Sequence, residues 1–253
     1  MSDFLRELFS LDGRRALVTG GSSGIGYAMA EALGRAGAEV VVVARGQQGL
    51  AAAVDRLAAR GVKASWISAD MGVRADVERV IAGAGQIDIL VNDAANNIRK
   101  PMGELTDADY EQTIAVNLTA PYLLGQHFGP LMAVRGWGRI INVGSQQSIS
   151  AFGDSGAYGV SKAAIAGLTR SQAEAWSPSG VCVNTIIPGF ILTPLTEPAQ
   201  SIPGRVEHMA SRHMVGRNGL PADFAGAAVF LSSPAGAFVT GQTLYVDGGF
   251  STH

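Results

Sequence analysis

Cysteine is almost missing from this sequence: Cys182 is the only one, so no disulfide can form within the chain. It sits in VCVNTII, an apolar run that reads as a buried strand, and the thiol is expected to be packed and inert rather than nucleophilic. Lysine is nearly as scarce. Lys63, Lys100 and Lys162 stand against sixteen arginines, so a lysine at any position calls for a reason. Charged residues are only 16% of the 253 and the net charge is −2; no basic stripe exists that could track a phosphate backbone, and nucleic acid is not an expected partner. Long hydrophobic runs are absent too. The aliphatic stretch 40–44 is far below the roughly 20 residues that span a bilayer, and MSDFLRELFSLDG has neither the basic start nor the apolar stretch of a signal peptide. The expectation is a cytoplasmic protein with no membrane partner. His208 and His213 lie five apart without an accompanying carboxylate pattern, and no metal is expected in the chemistry.

What the chain does have is apolar residues, 47%, and 33 glycines, nearly twice the usual share of about 7%. The glycines follow no collagen period and form no low-complexity tract, so they mark tight turns. Short β-branched runs alternate with longer segments: RALVTG (15–20), EVVVVA (39–44), KASWISA (63–69), IDILVN (87–92), RIINVGS (139–145), VCVNTII (181–187) and TLYVDGG (243–249). Between them, 28–36 and 160–176 carry apolar residues at three- and four-residue spacing, which predicts crossover helices. The pattern predicts a single-domain α/β fold over 1–253, doubly wound, with a seven-stranded parallel sheet and helices on both faces. Strands covered on both faces are expected to be apolar nearly throughout. The thin supply of charge suggests that part of the surface is buried between subunits.

Ligands of such sheets bind outside the carboxyl ends of the strands, where the strand order reverses. The first strand runs into Gly20-Gly21-Ser22-Ser23-Gly24-Ile25-Gly26 and then a helix. Glycines let a pyrophosphate approach the backbone, and the helix start offers unpaired N–H groups to an anion. Further on, GDSGAYGVSKAAIAG places Tyr158 four residues ahead of Lys162. On a helix these share a face. A phenol titrates near 10. A cation about 4 Å away, at an effective dielectric near 20, is worth roughly 4 kcal/mol, about three pKa units before desolvation. The pairing is expected to bring the tyrosine toward working pH; the bland alternative is a surface lysine beside a packing tyrosine.

The loop spacing G-x-x-x-G-x-G, VNDAA at 91–95, Asn117 in AVNLTAPY, Ser145 after the fifth strand, Tyr158-x-x-x-Lys162, Pro188-Gly189 with Thr193, and the closing VTGQTLYVDGGF occur in order over roughly residues 10–250. In that ordered set the chain resembles the short-chain dehydrogenase/reductase family. The resemblance implies a Rossmann fold and an oxidoreductase moving hydride between a nicotinamide cofactor and a carbonyl or secondary alcohol. It implies Tyr158 as general acid or base, Ser145 as hydrogen-bond donor to the substrate oxygen, and Asn117 holding a water that relays protons to Lys162. The cofactor would meet Gly20, Ser22, Ser23, Gly24, Ile25, Gly26, Asp70, Met71, Asn92, Ala94, Tyr158, Lys162, Pro188, Gly189, Ile191 and Thr193. Ala44 stands where NAD-preferring members carry an aspartate, and Arg45 follows it, so NADP(H) is preferred with NAD(H) possible.

Among members, those acting on sugar acids and polyols, gluconate 5-dehydrogenase included, are the most alike. The substrate is expected against Ser145, Gln146, Gln147, Phe152, Tyr158 and Phe190, beneath a lid at about 192–220; Arg99 or Lys100 faces a substrate carboxylate or belongs to a solvated loop. Assembly as a homotetramer or homodimer is implied as well. Two departures stand out: the family's Asn-Asn-Ala-Gly is here Asn92-Asp93-Ala94-Ala95, an acid for an amide and a methyl for a hydrogen. Alternatives remain: an NAD-dependent dehydrogenase, a 3-ketoacyl-type reductase, a cofactor-retaining epimerase or dehydratase, or a cofactor-binding protein without catalysis.

Overall fold

Successive strand side chains point to opposite faces of a sheet, and uninterrupted apolar runs therefore demand cover on both. In the computed structural model, which describes residues 3–252, seven parallel strands form one sheet: β1 Arg15–Thr19, β2 Glu39–Ala44, β3 Ala64–Ser68, β4 Ile89–Asn92, β5 Gly138–Val143, β6 Val181–Pro188 and β7 Thr243–Val246, in the order β3-β2-β1-β4-β5-β6-β7. Ten α-helices are described: α1 Asp3–Phe9, α2 Gly24–Arg35, α3 Gln47–Ala58, α4 Arg74–Ala84, α5 Asp107–Ile114, α6 Ala120–Val134, α7 Ala157–Trp176, α8 Glu197–Gln200, α9 Arg205–Ser211 and α10 Ala225–Ser232. Ala16, Val18, Val40, Val42, Ile89 and Val91 pack against Leu33 of α2, Leu50 of α3 and Leu231 of α10. Their neighbours Leu17, Val41, Val43 and Leu90 pack the other way, against Val77 and Val80 of α4 and Leu124 and Phe128 of α6.

Apolar throughout does not hold at the edge. Ser65 and Trp66 of β3 are exposed, because β3 pairs only with β2.

The chain winds outward from β1 to β3 and then returns to place β4 on the other side of β1. The reversal opens a crevice at the carboxyl ends of β1 and β4. Thr19 closes its base: its Oγ1 accepts from the N–H groups of Asp93 at 3.1 Å and Ala94 at 3.2 Å, so the turns leaving β1 and β4 are joined.

Two irregular features shape what lies above. Between α5 and α6, residues 115–119 wind as a π-helix, with the Ala120 N–H reaching the Ala115 carbonyl. After β6, the segment through α8 and α9 leaves and returns at one point, where Ile191 and Gly219 form a parallel bridge and the Leu192 N–H donates to the Gly219 carbonyl at 3.0 Å. That segment packs on a small separate core of Phe190, Ala199, Met209 and Phe250.

Candidate active site

The glycine loop after β1 is tightly constrained. Gly20 and Gly24 take φ of 73° and 59°, a region costly for side chains, and a Cβ on Gly26 would stand 2.6 Å from the Gly20 carbonyl oxygen and 2.6 Å from the Asp93 carboxylate. Ser23, at the helix boundary, makes no side-chain cap, so the amides of Gly24 and Ile25 at the start of α2 are not taken by it, while the Gly26 amide meets the Asp93 carboxylate. The donor set suits a phosphate group.

Helix α7 brings Tyr158 and Lys162 to one face, and both line a cleft with Ile25, Ser145, Gln147, Phe152, Pro188, Gly189, Phe190, Ile191 and Thr193. The Lys162 Nζ lies 5.7 Å from the centre of the Tyr158 ring and donates to the Val143 carbonyl at 2.7 Å. The two residues are thus together, and in the chain without its cofactor burial works against acidification of the phenol. Burial pushes Tyr158 up to about 12, with the Ser145 hydroxyl opposing and Asp93 adding to the rise. Desolvation wins because the phenol is buried and the ammonium is engaged by a carbonyl; burial pushes Lys162 itself down to about 8, against the pull of Asp93.

Asn117 lies in the π-turn and is buried. Its Oδ1 accepts from the Asn96 N–H at 2.9 Å, while its Nδ2 donates to the Asn96 carbonyl and to the Ser161 Oγ, each at 3.0 Å. The side chain therefore fastens the loop after β4 to α7, and both amide hydrogens are spent on that task.

Gly20, Ser22, Ser23, Gly24, Gly26, Arg45, Asp70 and Ala94 all follow the carboxyl ends of β1 to β4, around the crevice rather than in the lining of this cleft. The Asp70 Oδ1 accepts from the Gly72 N–H at 2.8 Å. The Arg45 side chain is exposed and forms no ion pair among the described residues. Two residues expected at the cofactor have side chains engaged within the protein. Met71 packs in the core, and Asn92 donates to the Asn142 Oδ1 at 2.8 Å, from which a chain runs to Thr169 at 2.9 Å. The Asn92 Oδ1 is buried and has no partner among the described residues. Lys100 is also removed from the substrate question, since it is paired with Asp109 at 2.6 Å, while Arg99 does line the cleft.

Residues 20–251 match the family model described as Enoyl-(Acyl carrier protein) reductase. The chain belongs to the short-chain dehydrogenase/reductase family. It is 38% identical over 252 residues to gluconate 5-dehydrogenase of Gluconobacter oxydans, covering 97% of each chain, and 40% identical over 248 residues to D-threitol dehydrogenase of Mycolicibacterium smegmatis, covering 96% and 95%. Among solved structures, a gluconate 5-dehydrogenase from Burkholderia cenocepacia in complex with NADP and tartrate superposes with a TM-score of 0.91 at 34% identity, over 98% of this chain and 99% of that one.

Against the family pattern, the departure at Asp93 has a clear physical setting. Its carboxyl faces Gly20 and Gly26 and lines the cleft; burial pushes it up to about 6, while Lys162 and the Gly26 amide pull it down. Ala95 lines the cleft as well. Sequence reasoning missed several further lining residues, Asn97, Ala199, Arg205 and Met209 among them. Three side-chain amide oxygens in the lining, Asn97 Oδ1, Gln146 Oε1 and Gln147 Oε1, are buried without a hydrogen-bond partner among the described residues, as is the Arg205 Nε. No local pattern flags these positions, which come together only when the 191–219 segment closes over the turn after β5. His213, by contrast, is structural: its Nδ1 pairs with the Met209 carbonyl at 2.7 Å and its Nε2 accepts from the Phe190 N–H at 3.2 Å.

Proposed function

We propose that the protein is an NADP(H)-dependent oxidoreductase that interconverts a ketone and a secondary alcohol on a polyhydroxylated small molecule, a sugar acid or polyol. One observation carries the reading: the phenol of Tyr158, the hydroxyl of Ser145 and the ammonium of Lys162 border one cleft with Ile25 of the glycine loop. The bound dinucleotide supplies or accepts the hydride. The protein handles the proton. In reduction the Tyr158 hydroxyl, which burial keeps protonated, gives its proton to the oxygen that gains charge, and the Ser145 hydroxyl donates a hydrogen bond to the same oxygen. Lys162, fixed by the Val143 carbonyl, places a positive charge beneath them. Arg45, exposed just past β2, is the group for a 2′-phosphate. The unpaired amides of Asn97, Gln146 and Gln147 favour a hydroxyl-rich substrate, in keeping with relatives named for gluconate and threitol.

Three further features belong to this reading. Residues 192–220 act as the substrate lid, pinned at the Ile191–Gly219 bridge. The chain works as a homotetramer. It resides in the cytoplasm; no helix among the described residues is long and apolar enough to cross a membrane.

The test follows NADPH and NADH absorbance separately against 5-keto-D-gluconate, D-fructose and a 3-ketoacyl ester. Turnover with NADPH on the polyhydroxylated ketones is expected, with Tyr158→Phe slower by roughly 10²–10⁴-fold and its NADP⁺ affinity retained. Wild-type rates in that variant, or turnover confined to the ketoacyl ester, overturn the proposal.

A further inference from the structure

We propose that Arg205 reads a carboxylate at the lid end of the cleft, so that the substrate is a polyhydroxy acid, or its keto form, rather than a neutral polyol; this rests on the function proposed above. Arg205 opens α9, after Gly204 in a left-handed conformation with φ of 72°, which sets the turn that delivers it. Its side chain lines the cleft that also holds Tyr158 and Ser145. The Nε is buried without a hydrogen-bond partner, and among the described residues the guanidinium takes part in no ion pair. Arg205 as a whole is half-buried, so its unpaired guanidinium can meet a ligand entering the cleft, and a carboxylate answers its fork geometry with two parallel hydrogen bonds.

The charge around it points the same way. Asp93 is the one acid in the lining, and it sits across the cleft against Gly26 and the field of Lys162. The lid end instead carries a second cation, Arg99, whose guanidinium donates to the Gly153 carbonyl at 3.0 Å. Phe152 and Met209, in the small core beneath the lid, supply apolar surface beside Arg205, and low polarity there strengthens a charge-assisted pair. The free amide oxygens of Asn97, Gln146 and Gln147 accept from hydroxyls, which suits the polyhydroxy part of such a substrate.

The deciding comparison is wild type, Arg205→Met and Arg205→Lys with 5-keto-D-gluconate and with the neutral ketose D-fructose, alongside the rise in Tm produced by D-gluconate. For the methionine variant, kcat/KM toward the keto acid is expected to fall on the order of 30-fold or more, mainly through KM, with fructose changed less than twofold, unaltered NADP⁺ affinity, and partial recovery in the lysine variant. The gluconate-induced rise in Tm is expected in the wild type and absent in Arg205→Met. Equal losses on both substrates, or an unchanged keto-acid KM, overturn the assignment. If the wild type turns over neither ketone, the proposed function falls, and the gluconate shift alone then decides Arg205: a shift of equal size in wild type and Arg205→Met overturns it, as does no shift in either.

Discussion

Asp93 shows how one side chain can reset a shared site. Its carboxyl stands against Gly26 at the start of α2, whose amide favours the anion, and it acts on Tyr158 and Lys162 of α7. Burial raises it to about 6, so the group is neutral below that pH and anionic above. An anionic carboxylate beside the glycine loop opposes the phosphates of a dinucleotide. Affinity for NADP⁺ is therefore expected to weaken as pH rises through about 6, by on the order of tenfold more in the wild type than in Asp93→Asn. Calorimetric titrations at pH 5.5 and 7.5 measure it; parallel slopes in the two proteins would remove Asp93 from cofactor binding. Tyr158 teaches a related lesson. Burial raises the phenol because a buried phenolate loses its hydration, and the Asp93 carboxylate adds to the rise.

At the scale of elements, the π-turn at 115–119 is the piece that aligns the site. Its widened turn lets Asn117 reach both backbone groups of Asn96 and the Ser161 hydroxyl, joining the loop after β4 to the helix that carries Tyr158 and Lys162. Replacing Asn117 with leucine leaves those buried groups unpaired, at about 3 kcal/mol in all. For a chain of this size that is a fall in Tm of roughly 6–12 °C. Thermal unfolding followed by circular dichroism checks it, and a change below 2 °C would show that the amide is not a fastener. The segment after β6 illustrates the same scale: its two ends meet at the Ile191–Gly219 bridge, and the Arg217–Asp223 pair, at 2.7 and 2.9 Å, ties its return to the turn that follows.

For the whole molecule, the exposed apolar surface is the feature to explain. Phe238 is fully exposed, and Tyr122, Leu131 and Val134 on α6 and Val160 on α7 add to the uncovered area. Apolar side chains on the helices that follow β4 and β5 fit burial between copies of this chain. Light scattering is expected to give the mass of four 26.1 kDa chains, and Phe238→Asp to lower it. A wild-type mass of one chain would end the proposal of a tetramer.

The sequence by itself determined the sheet, because apolar β-branched runs too short for helices can be buried only between two helical layers. The glycine loop and the Tyr158–Lys162 pair were legible for a similar reason: their meaning lies in local spacing, a turn without side chains and one face of a helix. What only the tertiary structure decided was where side chains from distant segments point. Nothing near Asn92 or Met71 in the chain says that they turn inward, and nothing near Lys100 says that Asp109 will claim it. Arg205 was hidden for the same cause. Its value comes from a buried Nε without a partner in the cleft lining, and that is a property of packing between distant segments, which no window of neighbouring residues contains.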